Sequence, residues 1–260
     1  MMLDLARLID QSQLGLWTGF VVFLRVGAMV SLLPAFGERV IPVRVRLGIA
    51  LAFTMIVLPA VGDLPLARPD DLSAALPLLA TEVPTGLFFG LLLRFFVFAL
   101  QIAGAIAAQS TSLSQIFGGS AGADPQPAIG HVLSSAALAL AALMGLHTAF
   151  AGYMIQTYTL VPTGLLMGSD VVADLGVRAV SHVFALGFTL AAPFVIASLL
   201  YNVTLGVINR AMPQLMVSFV GAPAITAGGL LLLLICTPVI LQLWMAAFAA
   251  VIADPGVASQ

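Results

Sequence analysis

Six long apolar segments dominate the sequence, at residues 14–36, 41–61, 85–108, 129–158, 180–207 and 224–252. An α-helix needs about 20 residues to cross the hydrocarbon core of a bilayer, and each segment is long enough. Inside hydrocarbon a backbone must satisfy its own hydrogen bonds, so segments of this length are predicted to be helical. The chain is therefore predicted to be an all-α membrane protein of about six long apolar helices.

The composition excludes an ordinary soluble domain, because 61% of the residues are hydrophobic and only 8% are charged. A soluble surface needs about a quarter or more of its residues to be charged. The basic residues are all arginines and form no run, so no nucleic-acid partner is predicted. The single cysteine, Cys236, lies in an apolar segment, where it is predicted to be a buried hydrophobe.

Charge in the connecting segments predicts the topology. The densest positive cluster lies between the first two apolar segments and contains Glu38, Arg39, Arg44 and Arg46. Because positively charged loops stay in the cytoplasm, both termini are expected on the opposite side if all six segments cross. Residues 62–84 and 162–178 are more acidic and are predicted to be outward loops. The fourth apolar segment is long enough to tilt, kink or protrude.

A polar, glycine-rich stretch at residues 109–130 separates the third and fourth apolar segments. Glycines and prolines interrupt a helix there, namely Gly118, Gly119, Gly122, Pro125 and Pro127. The incoming helix is therefore predicted to end near Phe117. Irregular backbone at membrane depth persists only inside protein or along a water-filled cavity. The stretch is thus either an ordinary solvated loop or a flexible plug that lines a pore.

Small residues predict where helices touch. They form two GxxxG pairs and a ridge along the third segment: Gly15 and Gly19, Gly86 and Gly90, then Ala99, Ala103, Gly104 and Ala107. Close approach of two helix backbones favours small side chains, whereas contact with lipid tails does not. The third helix is therefore expected to pack against protein along this ridge, although glycine and alanine are common enough here for chance matches.

Two arginines, Arg25 and Arg94, lie near the middles of apolar segments. A charge at mid-membrane costs about 2.5–3.5 kcal/mol on insertion scales, so each arginine is predicted to face protein or water. Each is either a polar lining or inter-subunit anchor, or a structural pair with a carbonyl group or with Glu82. No acidic residue is expected deep in a span, so no proton relay is predicted.

Motifs for chemistry are lacking in the sequence. His131, His147 and His182 do not fall at metal-ligand spacing, and no HExxH, CxxC, Walker or GxGxxG pattern occurs. No catalytic residue, metal or cofactor is predicted. Two rival classes remain: a secondary transporter with a broken helix near Gly118, and an intramembrane enzyme, which would need clustered polar residues at depth.

Residues 82–127 resemble the corresponding part of FliR, the export-gate component of flagellar type III secretion, and of its injectisome counterpart SctT. The shared order is Glu82, a GxxxG pair, QxAG at residues 101–104, and Asp-Pro at residues 124–125. Three further collinear pieces agree, namely PVRVRLGIAL, GLHTAF and RAMPQLMVSFVGAPA. The chain departs from the usual pattern just before the glycine-rich stretch, where it reads QSTSLSQIF.

The resemblance implies a role for the glycine-rich stretch as the plug of a closed channel, with Phe117 as its apolar stopper. The implied plug or gate residues are Ser110, Ser112, Phe117, Gly118, Gly119, Gly122, Asp124 and Pro125. Helix-packing or inter-subunit roles fall on the GxxxG pair Gly86 and Gly90, the alanine and glycine ridge, and on Arg25, Glu82, Arg94, Arg210 and Pro213.

The resemblance also implies partners and a location. Similar proteins occur as one copy in a helical assembly with FliP and FliQ, near FlhB and FlhA, in the bacterial inner membrane at the flagellar basal body. They look like a fusion of those two partners, which implies a FliP-like portion at about residues 1–175 and a FliQ-like hairpin at about 176–260. Their helices form bent hairpins, partly raised above the bilayer, and the assembly passes unfolded export substrates. The alternative is the same subunit of a virulence injectisome.

Overall fold

The computed structural model describes residues 2–38, 40–61, 72–111, 128–212 and 217–254. Seven α-helices contain nearly all of these residues: α1 (Met2–Leu32), α2 (Val43–Val61), α3 (Leu72–Ser110), α4 (Ala128–Leu143), α5 (Leu146–Leu160), α6 (Ser169–Ala211) and α7 (Val217–Ala253). No strand occurs within the described ranges. The predicted all-α class is confirmed.

Five helices are long and apolar enough to cross a membrane within the described residues, namely α1, α2, α3, α6 and α7. A sixth crossing results if the bent pair α4 and α5 is counted as one span. The prediction of about six apolar membrane helices is therefore confirmed. The fourth apolar segment is broken rather than continuous.

Gly145 breaks the fourth apolar segment. Its φ of 84° is left-handed, a conformation that glycine adopts without steric cost. The hydroxyl of Thr148 donates to the Gly145 carbonyl at 2.7 Å, and the Thr148 amide does so at 3.0 Å. The same carbonyl accepts the Ala149 amide at 3.3 Å, so Gly145 provides the first acceptor of α5, whose axis is bent by 82° from that of α4.

Four helices, α1, α3, α6 and α7, begin several residues earlier than the apolar segments that predict them. Helix α3 contains Pro77 and Pro84, so the prediction that residues 72–84 form a loop is wrong. A proline disfavours a helix interior by about 3 kcal/mol, but Glu82 and the threonines beside it are buried, and this packing outweighs the local preference. Helix α6 likewise begins at Ser169, which places Asp170 in its first turn, where a carboxylate favours the positive end of the helix dipole.

The chain divides into two compact units. The first combines the described residues of Met1–Arg94, Gly145–Ala179 and Ala250–Gln260, and the second those of Phe95–Met144 and Val180–Ala249. In the first unit α1 packs against α2, and α2 packs against α5.

Helices α1 and α3 meet in the first unit at the second GxxxG pair. A Cβ atom on Gly86 would collide with the carbonyl oxygen of Arg25, and one on Gly90 would lie 2.8 Å from that of Met29. Two glycines therefore permit backbone contact between α1 and α3. Among the described residues the first GxxxG pair makes no such backbone contact: a Cβ on Gly15 would meet nothing within 4 Å, and one on Gly19 would meet only the Leu58 side chain, at 3.7 Å.

A tight turn after α1 carries an aromatic anchor of the first unit. The helix ends before Pro34, and Ala35 adopts a φ of 67°, which is unusual for a residue with a side chain. The next ring, Phe36, packs edge-on against Phe53 of α2 at 5.8 Å and against Phe150 of α5 at 6.0 Å. Through Phe36 this turn packs against α2 and α5.

The second unit is built around the second half of α3. Ala99, Ala103 and Ala107 are fully buried there. Gly187 of α6 lies where a Cβ would be 3.2 Å from the Ala99 carbonyl, so α6 approaches this alanine ridge closely. Trp244 of α7 also contacts α3, donating its indole N–H to the carbonyl of Phe96 at 2.7 Å.

Adjacent glycines in α7 give a matched test of close packing in the second unit. A Cβ on Gly229 would lie 2.5 Å from Thr111 Cγ2, whereas a Cβ on Gly228 meets nothing within 4 Å. Overpacking costs about 1–3 kcal/mol, while exchanging glycine for alanine in a helix gains at most about 1 kcal/mol. We expect G229A to lower the apparent thermal unfolding midpoint in detergent by about 2–6 °C and G228A to leave it unchanged or raise it. Equal midpoints would contradict this packing.

Candidate functional site

A buried ion pair joins α1 to α3. Arg25 and Glu82 both have fully buried side chains. The Arg25 Nε donates to Glu82 Oε2 at 2.7 Å, and Nη2 donates to Oε1 at 3.2 Å. Two parallel charge-assisted bonds of this kind fix both the distance and the orientation of the two groups.

The same guanidinium binds carbonyl groups at the C-terminal end of α5. Arg25 Nη1 donates to the carbonyl of Thr157 at 3.2 Å and to that of Val161 at 2.8 Å. The Thr157 carbonyl also accepts the backbone N–H of Val161 at 2.9 Å, and the C-terminal end of a helix carries the negative end of its dipole, so a cation is stabilised there. The ring of Tyr158 lies 4.1 Å from the guanidinium carbon, which adds a cation–π contact.

Glu82 in turn holds the segment that follows α5. Its Oε1 accepts a hydrogen bond from the backbone N–H of Gly164 at 2.9 Å. Gly164 has a φ of 81°, a left-handed conformation that suits glycine. The carboxylate therefore connects α3 with both α1 and the turn between α5 and α6.

The sequence predicts Glu82 in an outward loop and no acidic residue deep in a span, and the structure corrects this expectation. The residue lies in the part of α3 that is long and apolar enough to span, Ala75–Ser110, and not in a loop. Burying an ion costs several kcal/mol, and this cost is compensated here because both charges are paired and bonded to backbone groups. The sequence leaves two arrangements open for Arg25, a polar lining or inter-subunit anchor and a structural pair. The structure shows the structural pair, with Glu82 and with backbone carbonyl groups.

Arg94 of α3 lies beside the C-terminal end of α1. Its Nη1 is 3.6 Å from Glu38 Oε1 and 3.5 Å from the carbonyl of Leu32, the last residue of α1. The side chains of Arg94 and Glu38 are 21% and 34% exposed. Arg46 also reaches this corner, since its Nη2 donates to the Glu38 carbonyl at 2.9 Å. The corner is therefore polar and partly open.

The glycine-rich stretch is flanked by a close helix contact in the second unit. Ser110 ends α3, and the hydroxyls of Ser110 and Thr111 donate to the Ala107 carbonyl at 2.9 and 2.8 Å. A Cβ on Gly104 of α3 would collide with the Cα of Gly130, near the start of α4. The helices on both sides of the stretch therefore touch through backbone.

Most of the predicted plug lies outside the described residues. This holds for Ser112, Phe117, Gly118, Gly119, Gly122, Asp124 and Pro125, and also for Pro213. Arg210 is exposed in the last turn of α6. The three histidines are also exposed, and the described residues hold no group of three His, Cys, Asp or Glu that could bind a metal.

The sequence assigns no role beside the ion pair to Tyr158, Val161 and Gly164, although Val161-Pro162-Thr163-Gly164 follows GLHTAF as part of the family resemblance. The hydroxyl of Tyr158, at the end of the fourth apolar segment, is 3.4 Å from the Val22 carbonyl. The available signal was the Val-Pro-Thr-Gly sequence after α5, in which glycine follows proline in a turn.

We predict that removing either Arg25 or Glu82 alone destabilises the first unit strongly, because the remaining charge is buried without its partner, whereas removing both charges does not. Removing one partner of a buried pair costs about 3–5 kcal/mol, while replacing both with apolar residues is far less costly. R25M and E82L should each lower the thermal unfolding midpoint steeply, and R25M/E82L should recover most of the loss.

The exposed i,i+4 pair Arg178 and Asp174, at 2.9 Å, is the control. Its loss should cost about 0.3–0.5 kcal/mol. Additive effects of R25M and E82L would contradict direct coupling.

Comparison with known proteins assigns the chain to a family. The model of the family described as bacterial export proteins, family 1, matches residues 16–251. Several relatives carry the name flagellar biosynthetic protein FliR, and three of them are described here. The one from Caulobacter vibrioides is 34% identical over 227 residues, covering 86% of this chain and 90% of the relative.

The other two relatives are more distant but cover similar lengths. The protein of Escherichia coli is 29% identical over 85% of this chain and 84% of its own length. The protein of Bacillus subtilis is 27% identical over 85% of this chain and 86% of its own. With a family match that leaves out only short ends, the chain belongs to the FliR family of bacterial export proteins.

Proposed function

We propose that this chain is a structural and gating subunit of the flagellar type III protein-export channel in the bacterial inner membrane. The observation that carries the proposal is the match to bacterial export proteins over residues 16–251. The relatives reported above are all named as flagellar proteins, which favours the flagellar system over a virulence injectisome.

The exposed surface of the second unit supports a subunit role. Large apolar side chains of α6 and α7 are widely exposed, for example Leu199 at 62% and Leu234 at 74%. Residues 180–249 contain a single charged residue other than histidine, Arg210. Such a surface must be covered by lipid or by other apolar helices. FliP-like and FliQ-like membrane subunits are the proposed neighbours, with FlhB-like and FlhA-like components nearby.

The chain acts in this proposal without covalent chemistry. Unfolded export substrates pass through the assembled channel, and the stretch from Ser110 to Asp124 obstructs it until a substrate arrives. The contact of Gly104 with Gly130 supports this role, because it keeps the two helices that flank the stretch close together. The division into a FliP-like portion, residues 1–175, and a FliQ-like hairpin, residues 176–260, belongs to the same proposal.

Co-purification distinguishes this proposal from a transporter or an enzyme. The tagged full-length chain, expressed with its genomic neighbours and extracted in mild detergent, should elute as one large complex with two other small membrane proteins. A transporter or enzyme is expected to elute alone or as a homo-oligomer. The subunit role would be contradicted if the chain eluted without those proteins, at the size of a detergent-solubilised monomer.

Deletion of residues 114–122 tests the plug. If this stretch obstructs the channel, cells that express the deleted chain with its partners should become permeable to small ions, whereas the full-length chain should stay tight. The membrane potential, followed with a fluorescent dye, is the measurement. The deleted chain expressed without partners is the control and should cause no leak. Unchanged permeability in an assembled complex would rule out the plug but leave the subunit role intact.

A further inference from the structure

One face of α7 in the second unit is exposed over about three turns. Its residues recur at intervals of three or four and therefore share one side of the helix. They are Leu231, Leu234, Ile235, Pro238 and Gln242, all of them exposed, with Leu234 at 74% and Ile235 at 62%. This Gln242 face is apolar except at two points, which are the side-chain amide of Gln242 and a backbone carbonyl group beside Pro238.

Gln242 has hydrogen-bonding groups that its own chain does not use. A glutamine side chain offers one carbonyl oxygen and two N–H donors. The side chain of Gln242 makes no hydrogen bond to any residue that the structure describes. The amide is therefore available to a group of another molecule.

Pro238 adds an acceptor to the same face. In a regular helix the carbonyl of Leu234 would pair with the backbone N–H of residue 238, and proline has no N–H to donate. The hydroxyl of the adjacent Thr237 does not replace this donor, because it donates to the carbonyl of Leu233 at 2.6 Å. The Leu234 carbonyl thus lacks its usual helical donor.

Both polar points lie within the membrane span wherever the bilayer is placed along α7. The apolar part of this helix, Pro223–Ala253, has 31 residues, and a span needs about 20. Any stretch of about that length within the 31 residues includes residues 234–242, because they lie at its centre. Lipid tails have no hydrogen-bonding groups, so an amide and a carbonyl group at this depth need a protein partner.

We propose that the Gln242 face binds a helix of another membrane subunit, which bonds the Gln242 amide and donates to the Leu234 carbonyl. The inference rests on the proposed subunit role and assigns one of its interfaces. Because α7 contains no charged residue, a charged group on the partner would stay unpaired there. The partner helix is therefore expected to present neutral hydroxyl or amide side chains, separated by up to about 12 Å along its axis to match the eight residues between the two points.

Retention of partner subunits tests the proposal. The tagged full-length chain is expressed with its genomic neighbours, extracted in mild detergent and washed, and the partner protein retained per tagged chain is quantified. We expect Q242L to reduce this retention about threefold or more. A threefold change corresponds to about 0.6 kcal/mol, the average for a hydrogen bond between membrane helices. Q242N keeps an amide and should retain more partner protein than Q242L.

A matched variant keeps the composition and moves the amide. In Q242L/L243Q the amide is shifted by one residue and turned by about 100° around the helix, so retention should stay as low as in Q242L. The thermal unfolding midpoint of the isolated chain should be unchanged or higher in Q242L, because Gln242 has no hydrogen bond to lose among the described residues. A lower midpoint would assign the glutamine to the folding of its own chain and overturn the interface.

A photo-cross-linker placed at Ile235 in the assembled complex identifies what covers the Gln242 face. Capture of another subunit is expected, whereas capture of lipid alone or of a second copy of this chain would overturn the proposal. Full retention by Q242L, or restored retention by Q242L/L243Q, would overturn it as well. If the unaltered chain still assembles with its partners in these cases, only the interface is wrong. If the unaltered chain elutes alone, the subunit role itself fails.

Discussion

The Arg25–Glu82 pair is the interaction on which the first unit depends. Four parts of the chain meet at these two side chains: α1, α3, the end of α5, and the turn at Gly164. Each part separately presents a group that apolar surroundings disfavour, whether a charge, a free carbonyl or a free amide. Brought together, they satisfy one another, so the polar cluster can form only when all four parts have the observed arrangement.

Glycine determines how closely the helices approach in both units. Gly86 and Gly90 allow α3 to touch the backbone of α1, and this contact puts Glu82 within reach of Arg25. In the second unit Gly104 does the same for α3 and α4. Apolar surroundings give helices little hydrophobic reason to associate, so short backbone distances and the dispersion contacts they allow carry much of the packing. Polar bonds and glycine contacts therefore support each other.

The helical class was predictable because long apolar segments leave the backbone few alternatives. The ends of the helices were not, because Pro77 and Pro84 mark a break locally and only tertiary burial of Glu82 and its neighbours keeps the helix intact. The bend at Gly145 needed its backbone conformation to be known, since many other described glycines lie inside helices and only Gly145 and Gly164 of them have a positive φ.

The candidate site shows the same limit. The sequence identified Arg25 and named Glu82 as a possible partner, because a charge in an apolar segment demands one. It could not assign the carbonyl groups of Thr157 and Val161, since any helix end offers such acceptors. It did not predict that Arg94 lies beside Glu38 and the carbonyl of Leu32, because contacts between distant parts of the chain depend on tertiary packing.

The separation of the paired charges along the chain has a consequence for biogenesis. Arg25 emerges from the ribosome 57 residues before Glu82. Until that carboxylate arrives, the first helix carries a solitary cation that costs about 2.5–3.5 kcal/mol in the lipid interior. The third helix brings the carboxylate that offsets this cost, so we expect integration of the first helix to become more favourable once Glu82 has been synthesised.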